Sequence, residues 1–306
     1  MPPVRRPPRG RRPSGRPGPA SPRPARGGRP PASARRARRT GRRHQRSEFA
    51  ARVWSALPAV VVAVAIVWAG GLWWALGLIV LGVICLHELY SMLADTAPVR
   101  LAGFLGLIGL VLAANYGSQF NVLLAAVALL PVLFILTLIS PRASSVSMGV
   151  TLLGVWWIGL AMAHAVLLRH LPHGGGVVVD VLVGTFLGDT GAYIGGRTFG
   201  RRPLAPRLSP NKTVEGLIFG AVCAIFGVWL ASTYQDWLPA GKAVLIGVGV
   251  ALSAPVGDLF ESFIKRDSGI KDTGRVFGPH GGALDRLDAA LFTIVSGYYV
   301  WHAMLS

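Results

Sequence analysis

The sequence predicts an all-α, polytopic integral membrane protein with about nine transmembrane helices and a cytoplasmic N-terminus. Three observations support this fold class. The 306-residue chain is 52% hydrophobic and only 14% charged, with a mean hydropathy of +0.51. Its apolar residues are gathered in runs close to the ~20 residues that cross a bilayer as a helix. Its lysines and arginines, by contrast, are concentrated in the N-terminal tail and in two loops.

The N-terminal tail, residues 1–46, is predicted to be disordered. Residues 1–52 hold 17 of the 31 basic residues, all arginine, and a single acid. A segment dominated by Pro, Arg, Gly, Ala and Ser cannot bury enough apolar surface to offset the entropy of ordering. The tail either attracts anionic lipid headgroups or is simply an orientation signal, and we favour the second interpretation.

The body of the chain, residues 53–306, is nearly neutral. It holds 14 basic and 12 acidic residues, a net charge of +2, so the high isoelectric point belongs to the tail. A nucleic-acid partner is therefore not expected. Cys85 and Cys223 lie inside apolar runs and suit neither a metal site nor a disulfide framework.

Nine apolar runs follow the tail, and we interpret each as a membrane span. Only two glycines separate the first two runs and the third is short, so eight spans is the alternative. The spans divide into an N-terminal scaffold, 53–170, and a C-terminal catalytic region, 176–306. The nine runs are 53–70, 72–93, 101–116, 120–140, 147–168, 176–196, 214–234, 242–264 and 286–305.

The basic residues of the body predict the orientation of these spans. The loops 197–213 and 265–286 carry 10 of its 14 lysines and arginines. Such an excess is typical of cytoplasmic loops. With nine spans, both loops lie on the same side as the tail, so the N-terminus is predicted inside and the C-terminus outside.

Acidic residues indicate where chemistry should occur. Ten of the 12 acids of the body lie between Asp180 and Asp288, and Glu88 is the exception within the earlier spans. Ionisable residues inside a membrane are costly and normally face a cavity or a partner. Asp189 in the sixth span shares a helical stripe with Tyr193, although pairing with a loop arginine is the alternative.

The segment after the sixth span, RTFGRRPLAPRLSPNKTVEG, suits a phosphate-bearing ligand. It combines five cations with hydroxyl groups. Its most closely spaced polar residues lie in the run SPNKTVEG, which begins at Ser209. A helix N-terminus beside Lys212 and Thr213 would bind phosphate well. Glu215 lies in the first turn of that helix, where it could also do no more than complement the helix dipole.

The end of the eighth span, GDLFESFIKR, places polar side chains on one helical face. These are Asp258, Glu261, Ser262 and Lys265. Glu261 and Lys265 can form a simple i,i+4 pair, whereas Asp258 has no cation four residues further on. A carboxylate at this depth without a local cation suggests a divalent metal ion.

The loop that leads into the ninth span reads DSGIKDTGRVFGPHGGALDRLD. Asp285 and Asp288 fall in the first turn of the helix, where acids are also common as caps. His280 precedes two glycines that let the backbone approach a ligand closely. A lone loop histidine is often without function, but this one lies among charged residues that include Lys271 and Asp272.

Residues 262–288 closely resemble the signature of the phosphatidate cytidylyltransferases, also called CDP-diacylglycerol synthases. The shared pattern is Ser-x-apolar-Lys-Arg, then Lys-Asp, His-Gly-Gly and Asp-Arg-apolar-Asp, and Ala283 is the one departure, at a packing position. Residues 189–216 resemble the Asp-x-x-Ala-Tyr and Ser-Pro-x-Lys-Thr-x-Glu-Gly segments of the same family. The earlier spans match by hydropathy only. The chain looks like an actinobacterial-type bacterial member with an Arg/Pro-rich extension.

The resemblance implies transfer of CMP from CTP to phosphatidic acid, which gives CDP-diacylglycerol and pyrophosphate in phospholipid biosynthesis. It implies a multi-pass plasma-membrane enzyme whose active site faces the cytoplasm and also opens to membrane lipid. The nucleophile is already an anionic phosphate, so the task is to neutralise and align two polyanions. The metal-binding aspartates of the family match Asp258 and Asp285, which suits Mg²⁺. A second metal ion and a homodimer stay open.

The candidate site residues form two groups. The catalytic candidates are Asp258, Asp285, Lys265, Arg266, Lys271, Asp272, His280 and Asp288. The candidates for binding CTP or phosphatidate are Asp189, Tyr193, Ser209, Lys212, Thr213, Glu215, Ser262 and Arg286.

Three other functions were weighed against this one. A CTP-dependent polyprenol or dolichol-type lipid kinase would transfer the γ-phosphoryl group and release CDP. An ion-coupled membrane transporter would also contain intramembrane acids, but the sequence shows no matching pair of Gly/Pro-broken segments. The CDP-alcohol phosphotransferases require an Asp-Gly-x-x-Ala-Arg run, which is absent from the sequence.

Overall fold

The computed structural model describes residues 66–142, 144–269 and 282–306, which form eight long helices, a 3₁₀ helix (Ala94–Thr96), a short helical stretch at 66–69 and one β-hairpin. The helices are α1 (Gly71–Met92), α2 (Arg100–Tyr116), α3 (Gln119–Leu138), α4 (Ser145–His170), α5 (Gly174–Phe199), α6 (Val214–Ser232), α7 (Ala240–Asp267) and α8 (Leu284–Ala303). The hairpin pairs β1 (Pro203–Ala205) with β2 (Ser209–Thr213) in antiparallel register.

The predicted spans coincide closely with these helices. Each of the last eight apolar runs begins and ends within three residues of a helix boundary. The first predicted span, 53–70, lies mostly outside the described residues, as does the whole tail, and residues 66–69 are helical. The hairpin is a difference from the sequence prediction, since the segment 197–213 was expected to be a loop.

Six helices are long and apolar enough to cross a membrane by length and composition: α1, α3, α4, α5, α6 and α7. The α2 helix is apolar but has only 17 residues, and α8 begins with charged residues. The described residues therefore form a polytopic, helical membrane protein. The count of nine spans remains a prediction.

Small residues bring α5 and α6 into very close antiparallel contact. A Cβ atom on Gly184 would lie 2.7 Å from the side chain of Val228, and one on Gly191 would lie 2.5 Å from the sulfur of Cys223. Glycines at such steps let two helix backbones approach where no side chain would fit. The contact fixes the position of Asp189, between these two glycines, relative to the start of α6.

Glycines also allow close contact between α7 and α8. Gly257 packs directly against the backbone of Asp288, and Gly249 faces Ser296 further along the pair. A hydrogen bond of 2.9 Å between the hydroxyl groups of Thr185 and Thr293 links α5 to α8. As a result, the ends of α5 and α7 and the beginnings of α6 and α8 lie together at one end of the bundle.

The N-terminal helices pack around α4, the most buried of the six apolar helices. The indole nitrogen of Trp74 on α1 donates to the carbonyl of Ala165, and the Tyr90 hydroxyl donates to that of Thr151. One turn of α4, Val155–Gly159, is a π-helix. These contacts place α1 and α4 beside the helices that form the cavity described next.

Candidate active site

A cavity of about 800 Å³ lies among α5, the hairpin, α6, α7 and α8. Part of its wall is apolar and made of small side chains, including Ala221, Ala224, Ala251 and Ala254. The remainder is polar and holds nine of the residues that the sequence singled out. These are Asp189, Tyr193, Ser209, Lys212, Thr213, Asp258, Asp285, Arg286 and Asp288.

Lys212 connects the hairpin to α7. Its Nζ lies 2.7 Å from Oδ2 of Asp258, with each side chain about one third exposed. The helical spacing of α7 provides no cation for Asp258, and that absence motivated the metal hypothesis. The structure shows that β2 supplies one. Helix periodicity cannot reveal a partner that comes from another element.

Glu215 holds the base of the hairpin. Its Oε2 accepts hydrogen bonds from the backbone N–H groups of Arg201 and Arg202, at 3.0 and 3.1 Å. Thr213 caps α6 by accepting from the N–H of Gly216 at 3.1 Å. Glu215 does not line the cavity, so its observed contacts orient the segment that carries Lys212.

Lys265 links α7 to the first turn of α8. Its Nζ donates to Oε2 of Glu261 at 2.6 Å and to Oδ1 of Asp285 at 3.1 Å. The other oxygen of Asp285 accepts from the N–H of Gly282 at 2.7 Å. Asp285 is therefore oriented from two sides before any ligand binds. Lys265 itself lies behind the cavity wall.

Carboxylates are crowded at this end of the bundle. Asp258 lies close enough to both Asp189 and Asp288 for the charges to interact, and Glu261 is similarly close to Asp288 and Asp285. Like charges repel strongly where water is scarce. The crowding therefore favours bound cations, and the two lysines supply only part of that charge.

The donors present fit Mg²⁺ by their chemistry. Asp258 and Asp285 bring carboxylate oxygens to the cavity, and Mg²⁺ usually takes one or two carboxylates together with substrate phosphates and water. No group of three or more His, Cys, Asp or Glu side chains among the described residues is arranged to hold a metal ion. A metal here would thus depend on oxygens from outside the protein.

The remaining predicted residues lie apart from the cavity or outside the described chain. Arg266 is exposed and its Nε donates to the carbonyl of Leu208 at 3.3 Å, which ties α7 to the hairpin. Ser262 is partly buried on α7 and does not line the cavity. Lys271, Asp272 and His280 lie outside the described residues. Asp189 forms no salt bridge with an arginine in the described part of the chain, contrary to the alternative considered for it.

Two buried glutamates were not among the candidate site residues. Glu261 is 1% exposed and forms the predicted i,i+4 pair with Lys265. Glu88 on α1 is 3% exposed, and its Oε2 accepts from the N–H of Leu284 at 2.9 Å. The sequence does mark Glu88 in one way, because it is the single acid within the earlier apolar runs, and ionisable residues in such runs are usually functional.

A polar cavity with paired lysines and carboxylates, built into the ends of apolar helices, is the arrangement expected of a membrane-embedded enzyme with anionic substrates. Comparison with known proteins gives the family. The model of the cytidylyltransferase family matches residues 50–304. The chain belongs to this family.

Individual relatives agree with the family assignment. The phosphatidate cytidylyltransferase of Staphylococcus aureus is 32% identical over 250 residues, which cover 79% of this chain and 95% of the relative. The protein of the same name from Staphylococcus saprophyticus is 30% identical over 249 residues with the same coverage. The one from Mycobacterium leprae is 38% identical over 135 residues, and this chain spans only 43% of its length.

Proposed function

We propose that this protein is a CTP:phosphatidate cytidylyltransferase that transfers CMP from CTP to phosphatidic acid and releases pyrophosphate. The main support is the cavity in which Lys212, Arg286 and four aspartates meet beside an apolar wall. The name of the staphylococcal relatives, matched over 95% of their length, agrees with this activity.

The reaction needs charge neutralisation more than acid–base catalysis. A phosphate oxygen of phosphatidic acid forms a bond to the α-phosphorus of CTP. The bond from that phosphorus to the oxygen shared with the β-phosphorus breaks, and this oxygen leaves with pyrophosphate. No proton has to be removed from the attacking oxygen. Lys212 and Arg286 would offset the negative charge of both substrates and hold them in line.

Mg²⁺ is the proposed cofactor. Asp258 and Asp285 would hold it, with Asp189 and Asp288 nearby. When bound, it would neutralise the developing charge on the phosphate oxygens. Lys265 would keep Asp285 oriented through their 3.1 Å contact.

The lipid would enter from the side of the apolar wall. Phe186, Leu217 and Ala224 line this part of the cavity, and Phe186 is 55% exposed on the outer surface of α5. Acyl chains could remain beside these residues while the headgroup reaches Lys212. An opening toward both water and lipid is what two substrates of such different polarity require.

The proposed arrangement places this protein in the plasma membrane with nine spans and the cavity facing the cytoplasm. Its support is the Lys/Arg distribution, because the described cations of both basic segments, among them Lys212 and Arg286, lie at the end of the bundle that holds the cavity. The division into a scaffold, 53–170, and a catalytic region, 176–306, and the assembly into a homodimer remain predictions.

A CTP assay tests the proposed function. Purified protein in detergent, given CTP and phosphatidic acid with Mg²⁺, should form CDP-diacylglycerol and pyrophosphate in equal amounts, and chelation of the metal should stop both. A parallel reaction contains a polyprenol in place of phosphatidic acid, and release of CDP with phosphorylation of that alcohol would instead indicate a lipid kinase. Absence of CTP consumption in both reactions by a folded preparation would reject both enzymes and leave the transporter.

A further inference from the structure

Glu88 connects the N-terminal helices to the cavity. It lies near the end of α1 and is 3% exposed, and its Oε2 accepts a hydrogen bond of 2.9 Å from the N–H of Leu284. Leu284 is the first residue of α8. The two residues are 196 positions apart in the chain, so this contact is a purely tertiary one.

The contact supplies a cap that α8 does not provide for itself. The residue at its N-cap position is Ala283, which has no side-chain acceptor. The first N–H groups of a helix have no partner within the helix, and a buried one is costly to leave unpaired. A carboxylate at this end also interacts favourably with the helix dipole.

The beginning of α8 carries much of the proposed chemistry. Asp285 and Arg286 reach the cavity from its first turn, and Asp288, which the sequence placed in that turn as well, reaches it from the second. Fraying of this helix end would move all three relative to Asp258 on α7. Displacements of about 1 Å in a catalytic group can cost about 100-fold in rate.

Packing alone does not account for a carboxylate at position 88. It lies near Cys85, and its Oε1 has no hydrogen-bond partner among the described residues. Burying a carboxyl group with an unpaired oxygen is unfavourable, and a leucine would fill similar space without that cost. The acid is thus better explained by what its paired oxygen does.

We propose that Glu88 is a positioning residue for nucleotidyl transfer: it caps α8 and thereby sets the placement of Asp285, Arg286 and Asp288. The effect of Glu88 on catalysis rests on the proposed function, whereas its capping of α8 does not. It also means that the N-terminal helices contribute directly to the geometry of the site.

The test compares three variants of the full-length protein. Glu88→Gln keeps an oxygen acceptor at the same place, whereas Glu88→Leu removes it. Asp180→Leu is the matched control, because Asp180 is also a fully buried carboxylate with one hydrogen bond, from Gln235 at 2.8 Å, but lies at the opposite end of α5. Thermal unfolding in detergent measures how far each substitution affects the fold as a whole.

We expect the loss of the cap to lower kcat and to leave KM nearly unchanged. Glu88→Leu should lower kcat about 10- to 100-fold, as loss of an orienting partner commonly does, with the KM for CTP within about twofold of wild type. Glu88→Gln should stay within about threefold of wild type in both. Equal losses of kcat in Glu88→Leu and Asp180→Leu, or in Glu88→Leu and Glu88→Gln, would overturn the proposal.

Hydrogen exchange provides a readout that needs no turnover. Amides of residues 282–290 should exchange at least about tenfold faster in Glu88→Leu than in wild type, and at the wild-type rate in Glu88→Gln and Asp180→Leu. Unchanged exchange in Glu88→Leu would reject the capping role. If the wild-type protein forms no CDP-diacylglycerol, the proposed function fails, and exchange alone then decides whether Glu88 orders α8.

Discussion

Single residues in the cavity act in pairs that cross between elements. Lys212 of β2 pairs with Asp258 of α7, and Lys265 of α7 pairs with Asp285 of α8. Each pair fixes one helix end against another, and each brings a cation beside a carboxylate proposed to face a phosphate. Lys265 and Asp285 are the less exposed pair, and removing either of them leaves the other charged in a poorly hydrated place, which costs more than the lost contact.

Asp285→Asn should abolish turnover without unfolding the protein. The substitution keeps the volume but removes the charge that faces both Lys265 and the proposed metal ion. Activity with CTP and phosphatidic acid should fall more than tenfold, which corresponds to about 1.4 kcal/mol. Asp236→Asn, at an exposed position on the α6–α7 connection, is the control and should retain full activity.

Asp258→Asn should behave in the same way. If both aspartates serve one metal centre, the double variant should be no less active than either single variant. Losses that multiply in the double variant would mean that the two residues act separately. Activity above about a tenth of wild type in Asp285→Asn would remove that residue from the centre.

Lys212→Met should raise the KM for CTP or for phosphatidic acid and lower kcat/KM at least about tenfold, because a phosphate-binding cation is lost. Lys242→Met is the matched control, since Lys242 donates to the carbonyl of Met304 and does not line the cavity. Titrating each substrate in turn would show which one Lys212 binds. A Lys212→Met enzyme with the kinetics of Lys242→Met would exclude Lys212 from the site.

Many polar residues that line the cavity were predictable from the sequence, whereas their partners on other elements were not. Asp258 and Asp285 stand out in the sequence because charged residues are rare in apolar helices. The partner of Asp258 comes from the hairpin, and the partner of Glu88 comes from the other end of the chain. Such pairings depend on tertiary contacts, and the spacing of residues along one helix cannot predict them.

Helices and loops differ in how well the sequence defines them. The eight described helices follow from apolar length, because a segment of about 20 apolar residues has few other stable structures in a bilayer. The hairpin has strands of only three and five residues and no alternating pattern. Its pairing, with Pro203 opposite Thr213, depends on the anchoring of its base by Glu215.

Close helix contacts through glycine predict a sharp difference between two positions in α7. A Cβ on Gly247 would lie 2.7 Å from the backbone of Ile225, whereas one on Gly241 would meet nothing within 4 Å. Gly247→Ala should therefore destabilise the protein by about 1–3 kcal/mol, as overpacking does. Gly241→Ala should leave the unfolding temperature in detergent unchanged or slightly raised. Equal temperatures for the two variants would contradict the observed contact of α6 with α7.

The molecule as a whole has two ends with different charge, and its orientation can be measured by cysteine labelling. Thr198, exposed near the end of α5, should react as a cysteine with an impermeant thiol reagent only after cells are opened. Gly241, at the start of α7, has room for a side chain and should react in intact cells. Each of these two cysteines is introduced singly into a protein that lacks Cys85 and Cys223. The reverse labelling pattern would place the cavity on the outer face.

The tail should matter little for the chemistry. Deleting residues 2–46 should leave specific activity in detergent nearly unchanged, since every candidate site residue lies far beyond it. In anionic liposomes at low salt the deletion should lower activity modestly, because attraction to headgroups is screened by salt. Loss of all activity in detergent would show that the tail belongs to the site.

The contact between Glu88 and Leu284 also bears on how the protein is made. Glu88 is synthesised 196 residues before Leu284, so α8 must find a partner that was made well before it. Until that happens, the proposed cap is missing from the helix that carries Asp285, Arg286 and Asp288. A chain that stops before α8 lacks these three residues of the cavity and, under the proposed function, would be inactive.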